Sequence, residues 1–259
     1  MVFEAMVEGW VMATAVEGSP DNVQADAGTL PTVMGKVRRP DPLRIEVART
    51  LKSFIIGGNL PFGTHPVETE LAQSLGVSRL PVREALQLLA QDGWVDLRKG
   101  FGAFVHTPSA KEVDEVFSVR TVLEAEAARQ AAVVIAEGRA DKQEIVRLKD
   151  VFEEGVKEME VGHKAAIGDK NSELHFAIVD LTGNSVLGSM VSLIEERVRW
   201  YFGAIALRRA PASWEEHAQV IDAILAGDSS RAHDLMAQHC ERSRIGLLDM
   251  SMSGFAKDD

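Results

Sequence analysis

The apolar positions change period several times along the chain, and each change marks an element. Leu43, Val47, Leu51, Phe54 and Ile55 recur at helical spacing and predict a helix over 43–56 that Gly57-Gly58 ends. After a turn at Leu60-Pro61-Phe62-Gly63, a short helix is expected over 66–75 and another over 80–91, stopped by Gly76 and Gly93. Residues 94–106 alternate around Lys99-Gly100, which predicts a β-hairpin. Beyond it the spacing predicts helices over 111–137, 141–161, 169–181, 186–207, 214–226 and 229–252. Gly138, Thr182-Gly183-Asn184, Pro211 and Gly227 separate several of these, Ser213 with Glu216 reads as a capping box, and Asp228 or Ser229 reads as the last cap. Six helices on short connections imply an antiparallel bundle. Residues 1–40 have no sustained period and read as a flexible tail with a short helix near 6–15, and 253–259 read as a second tail. The expected class is therefore mainly α, with a small helix-and-hairpin module over 41–108 and an antiparallel all-α bundle over 109–252.

Composition narrows the cellular setting. No run approaches the roughly 18 uncharged apolar residues of a membrane helix, and the first 40 residues show no basic start followed by an apolar core. Cys240 is the one cysteine, which excludes an internal disulfide and suits a reducing cytosol. These features point to a cytoplasmic protein with no membrane partner. The net charge of −11 opposes nucleic acid until it is divided along the chain. Residues 1–35 carry −5, residues 36–108 carry +3, and residues 109–259 carry −9. Binding to phosphates depends on local potential, so a basic module on an acidic body is compatible with DNA.

Within that module, a short helix, a tight turn at Gly76 and a second helix make a helix-turn-helix. Leu71, Ala72 and Leu75 would pack on Val77, Val82, Leu86 and Leu89, leaving Arg79 and Arg83 to face a major groove. The tip Arg98-Lys99-Gly100 places two cations on a wing, where Gly100 lets the chain turn tightly. The run LAQSLGVSRLPVREALQLLAQDGWV, followed by KGFGAFV, resembles the winged-helix module of the GntR family of bacterial regulators over residues 43–106. That resemblance implies DNA contacts at Ser78, Arg79, Arg83, Lys99 and Gly100, with Thr69 as a further one. The family has Thr, as helix cap, where this chain has Leu80, and losing a cap costs about 1 kcal/mol.

Seven histidines are present, five of them in the bundle. Asn171 and His175 are four apart and share a helix face. His217 precedes Gly227 by about 15 Å of helix and His239 follows Asp228 by about 16.5 Å. A hairpin at Gly227 would therefore set them level, with His233 roughly 9 Å out of register. Three imidazoles and an oxygen suit zinc, nickel or a similar divalent ion. Histidines scattered on helices are also commonly surface or satisfied core residues.

The segments NSELHFAIVDLTGNSVL, EEHAQVIDAILAGDSSRA and MAQHCERSR resemble the helical ligand-sensing FCD-type domain of the FadR branch, in its six-helix form, over residues 111–250. The resemblance implies a divalent metal at Asn171, His175, His217 and His239, where many members have Asp in place of Asn171. It also implies Arg120 with Glu124, and Arg197 or Arg199, beside a small organic-acid effector. The implied function is a homodimeric regulator, most simply a repressor, that binds a near-palindromic double-stranded operator under control of a carboxylate metabolite. The alternative is a metal-dependent hydrolase using the three histidines, although no HExxH or other recognisable base spacing accompanies them.

Overall fold

The computed structural model describes residues 42–254. The tail expected over 1–40, its helix near 6–15 and residues 255–259 lie outside the described residues. The elements run α1 (Leu43–Ile56), α2 (Glu68–Leu75), α3 (Arg79–Gln91), β1 (Val95–Arg98), β2 (Gly102–Val105), α4 (Ala110–Ala136), α5 (Lys142–Val161), α6 (Lys164–Leu181), α7 (Ser185–Leu225) and α8 (Ser229–Gly254).

The first five elements form a winged helix because their apolar faces converge. Val47, Leu51 and Ile55 of α1 are buried with Ala72 of α2 and Val82, Ala85, Leu86 and Leu89 of α3. Leu43 and Phe54, expected in the same stripe, are each 49% exposed, so the buried face of α1 is narrower than its apolar pattern. Gly76 closes α2 in the left-handed region at φ 66°, which a residue without Cβ adopts freely. The β1 and β2 strands pair antiparallel with Val95 opposite Val105, both buried.

Ser109 opens the bundle with a complete capping box: its hydroxyl accepts from the Glu112 amide, and the Glu112 carboxylate accepts from the Ser109 amide at 2.8 Å. Buried alanines 125, 127, 128, 131 and 132 give α4 a thin inner face for its neighbours. The α6 helix begins five residues before the expected 169, because Ala165, Ala166 and the buried Ile167 carry helix through Gly168.

The helices expected over 186–207 and 214–226 are one helix, α7, of 41 residues with Pro211 inside it. The bundle therefore has five helices among the described residues, not six. An interior proline removes one hydrogen bond and costs about 3 kcal/mol. Buried residues on both sides, Phe202, Ile205 and Ala210 before it and Trp214, Val220 and Ile224 after it, hold the helix together across that loss. The expected capping box does not form: Ser213 is buried within α7 and its hydroxyl has no partner. At the far end Gly227 (φ 70°) turns the chain and the Asp228 carboxylate accepts from the Arg231 amide, so α8 folds back along α7. No helix among the described residues is long and apolar enough to cross a membrane.

Gly155 of α5 shows how tightly this bundle is packed. A Cβ there would lie 2.1 Å from Cη2 of Trp214, a buried ring that also meets His217 edge-on at 4.9 Å between centroids. Helix propensity alone makes Gly155→Ala stabilising by about 1 kcal/mol. The clash should reverse the sign, to a loss of about 1–3 kcal/mol. Urea unfolding midpoints of the two proteins measure it, and a stabilised variant would show that Trp214 has room to move.

Candidate functional site

Three bundle helices bring their histidines to one point. On α6, Asn171 and His175 are one turn apart on the buried face. On α7, His217 is buried, and the Gly227 turn sets His239 of α8 level with it. The ring centroids of His217 and His239 lie 4.4 Å apart, and His175 is 5.1 Å and 5.2 Å from them. One nitrogen from each ring lies within 4.8 Å of the others. The residue that arrives at the cluster is His239. His233 is half exposed on the same helix and bonds Asp234.

Burial sets the electrostatics. It pushes the pKa values of His217 and His239 well below the usual imidazole value, and the neighbouring positive groups add to this. Both rings are thereby held neutral, the form that donates a lone pair to a metal. The Nδ1 of His239 bonds the Glu216 carboxylate at 3.0 Å, and that carboxylate also accepts from Arg209 and Arg242. A carboxylate behind an imidazole fixes the ring and strengthens the facing nitrogen as a ligand. On the opposite side Glu124 lies 2.8 Å from Nδ1 of His175 and accepts two bonds from Arg120 Nε. Burial would raise the Glu124 pKa, but Arg120 and His175 together hold it far below the carboxylate range.

The donor set fits a divalent ion. Asn171 is 3% exposed and its Oδ1 is buried with no hydrogen-bond partner. Buried oxygens are rarely left so, and a cation would satisfy this one. Arg120 is fully buried beside His175, with Nη2 3.2 Å from its Nε2 and Nη1 without a partner. A buried guanidinium donor without a partner beside His175 is suited to a carboxylate.

Arg197 lies elsewhere. It donates to the carbonyls of Asp92 and Gly93 and stacks over Trp94 at 4.3 Å. It is twenty residues before His217 on the same helix, or about 30 Å away, so it ties the bundle to the winged helix and does not reach the histidine cluster. Arg199 pairs with Asp169. Nearby, Lys52 meets Glu196 and lies over Trp94, and His106 bridges Asp96 and Glu112. No spacing in the sequence signals this joint, and the Ser213–Glu216 spacing points to a cap rather than to the carboxylate behind His239.

The residues expected to contact DNA lie on α3, the start of α2 and the hairpin tip. The helix starts at Arg79, so Ser78 is its cap position, although its side chain makes no cap bond, and Leu80 stands inside the first turn, 64% exposed. Arg79 and Arg83 are one turn apart and more than half exposed. Both reach Glu68 at the start of α2: Arg83 through Nε at 3.0 Å and Nη2 at 2.9 Å, Arg79 at 3.3 Å. Thr69 follows Glu68 and is exposed. Lys99 and Gly100 form the exposed tip, where Gly100 has φ 83°. Arg98 lies over the Phe104 ring at 4.0 Å, which leaves Lys99 as the cation at the end of the wing. A groove between α3 and the hairpin runs past Arg83, Gln87 and Lys99.

Comparison with known proteins gives two family matches. Residues 43–105 match the bacterial regulatory proteins of the gntR family, and residues 115–242 match the FCD domain. The chain is similar to the HTH-type transcriptional regulator YdhC of Bacillus subtilis (strain 168), with 30% identity over 79% of this chain and 90% of the relative. It is similar to the uxu operon regulator of Haemophilus influenzae, with 26% identity over 79% of this chain and 82% of that protein. Among solved structures, E. coli McbR/YncC shares its fold at TM-score 0.64 and 21% identity, over 81% of this chain and 99% of that one.

Proposed function

The chain belongs to the gntR family of bacterial regulatory proteins and carries an FCD domain, and from that premise we propose that a small carboxylate effector, reaching a divalent metal in the bundle, controls its grip on DNA. It is a DNA-binding transcriptional regulator, and its relatives are regulators rather than enzymes, which sets the hydrolase alternative aside. The observation that carries the metal reading is the meeting of three buried histidine nitrogens from three helices within 4.8 Å. Asn171 would be the fourth ligand and Arg120 the partner of the effector carboxylate. When bound, the metal supplies a Lewis-acid anchor for that carboxylate and braces α6, α7 and α8 against one another. Zinc or nickel suits three imidazoles best. The match to the FCD domain supports reading the chain as a member of the FadR branch.

On the DNA side, Arg79 and Arg83 would read bases, with Ser78, Thr69, Lys99 and Gly100 on the backbone. A homodimer on a near-palindromic operator in the cytoplasm fits two-fold symmetry reading two half-sites. Exposed Val119 and Val122 on α4, and Val186, Met190 and Leu193 on α7, offer apolar surface to a second copy. Repression is the sign we assign.

The test is to sequence genomic fragments retained by the purified protein and then screen small acids for release, with and without chelator. Release by an acid only when metal is present supports the reading, and release indifferent to metal removes the metal from it. On the fragment so found, Arg83→Ala should weaken specific binding by about 1–3 kcal/mol. A gel-shift titration at fixed salt measures this, and unchanged affinity in a folded variant would take Arg83 out of the interface.

A further inference from the structure

We propose that the cleft between the winged helix and the bundle is a second ligand site, built for a small apolar monocarboxylate such as an aryl or short-chain alkyl acid. Its walls are Ile55 at the end of α1, Phe62 in the following loop, and Trp200, Gly203 and Ala204 on α7, with Lys164 at the start of α6. The cavity is about 220 Å³, more than the roughly 150 Å³ that suffices for benzene in an apolar cavity. Phe62 and Trp200 meet edge-to-face at 5.0 Å and make an aromatic wall. Gly203 lies inside α7 and lines the cleft; a Cβ there would lie 3.6 Å from the Ile56 carbonyl, so a longer side chain would have to fill the space between α7 and α1.

The charge of the cleft selects the ligand. Lys164 is the titratable residue of this lining, and no carboxylate pairs with it among the described residues. A smaller adjoining cavity shares Lys164 and Gly203 and adds Arg199 and Asp169, which already neutralise each other. One uncompensated cation beside aromatic walls matches one carboxylate on an apolar body. A phosphate or dianion would leave its second charge unmatched in this cleft.

The site is separate from the histidine cluster. Asn171 and His175 lie about 10.5 Å and 16.5 Å further along α6 than Lys164. A ligand here touches the DNA-binding module through Ile55 and Phe62, and the bundle through Lys164 and Trp200. Its occupancy therefore favours one placement of the two over others.

The experiment titrates 4-fluorobenzoate into the full chain by fluorine NMR after chelator treatment. Saturable binding is expected, with 4-fluorobenzyl alcohol, similar in shape but uncharged, about tenfold weaker. Gly203→Leu should abolish binding of both probes. Lys164→Met, a surface change that leaves the fold intact, should bring the acid down to the alcohol's affinity while leaving the alcohol unchanged, and Lys149→Met should alter neither. The proposal is overturned by non-saturable binding, by equal affinity for acid and alcohol, or by binding that survives Gly203→Leu. Acid binding seen only before chelation overturns it too, because the probe then belongs to the metal.

Discussion

Arg120→Met should lower folding stability by about 3–5 kcal/mol, the largest effect expected of any single side chain in the bundle. Both members of its ion pair are buried, Arg120 wholly and Glu124 to within 2%. Glu124 draws its low pKa from Arg120 first and His175 second, against a burial effect that opposes it. Removing the guanidinium leaves a buried carboxylate without its only permanent positive partner, facing just the Nδ1 of His175 and the Cys240 thiol. The double variant Arg120→Met, Glu124→Leu removes both charges and should recover most of the loss, because a buried pair is worth little over an apolar replacement. Guanidinium unfolding of chelator-treated protein reads both variants without the metal's contribution. A single variant within 1 kcal/mol of wild type would mean that water reaches Glu124 and that the pair is not desolvated.

The second large effect concerns the histidines. Protein prepared without chelator or nickel resin should carry about one divalent ion per chain. His217→Ala and His239→Ala should each lose it. An ion at a thousandfold excess over its dissociation constant stabilises the folded state by about 4.1 kcal/mol, so these variants should melt markedly lower than wild type when metal is supplied. With chelator present most of that difference should vanish. His233→Ala, on the exposed side of α8, should keep both ion and melting point. Elemental analysis beside thermal melts decides it, and the histidine triad is wrong if His233→Ala alone loses the metal.

The sequence made most of the architecture legible because local signals and packing agree there. Gly76 and Gly93 stop helices, the Gly227 turn sets a register, and the ten and eleven residues flanking it bring His217 to His239. Where the sequence misled, tertiary packing overrode a local signal. Pro211 reads as a break, yet the buried residues on either side of it keep α7 whole. Because α7 is unbroken, Arg197, which the resemblance implies beside an effector, lies about 30 Å along the same helix from His217. Glu68 was also invisible. Nothing in a one-dimensional pattern says that a carboxylate on α2 will hold two arginines eleven and fifteen residues later.

The unbroken α7 has a mechanical consequence. It joins the histidine cluster to the Trp94–Arg197 joint as a single strut, so it transmits motion by tilting as a body, with no relay of loops to absorb the displacement. Over the 30 Å between those two points, a tilt of only about 5° swings the far end by roughly 2.6 Å. Pro211 removes one rung from this strut six residues from His217 and fourteen from Arg197. The most compliant point of the lever is therefore near the histidine cluster, and the longer, stiffer arm is the one that bears on the DNA-binding module.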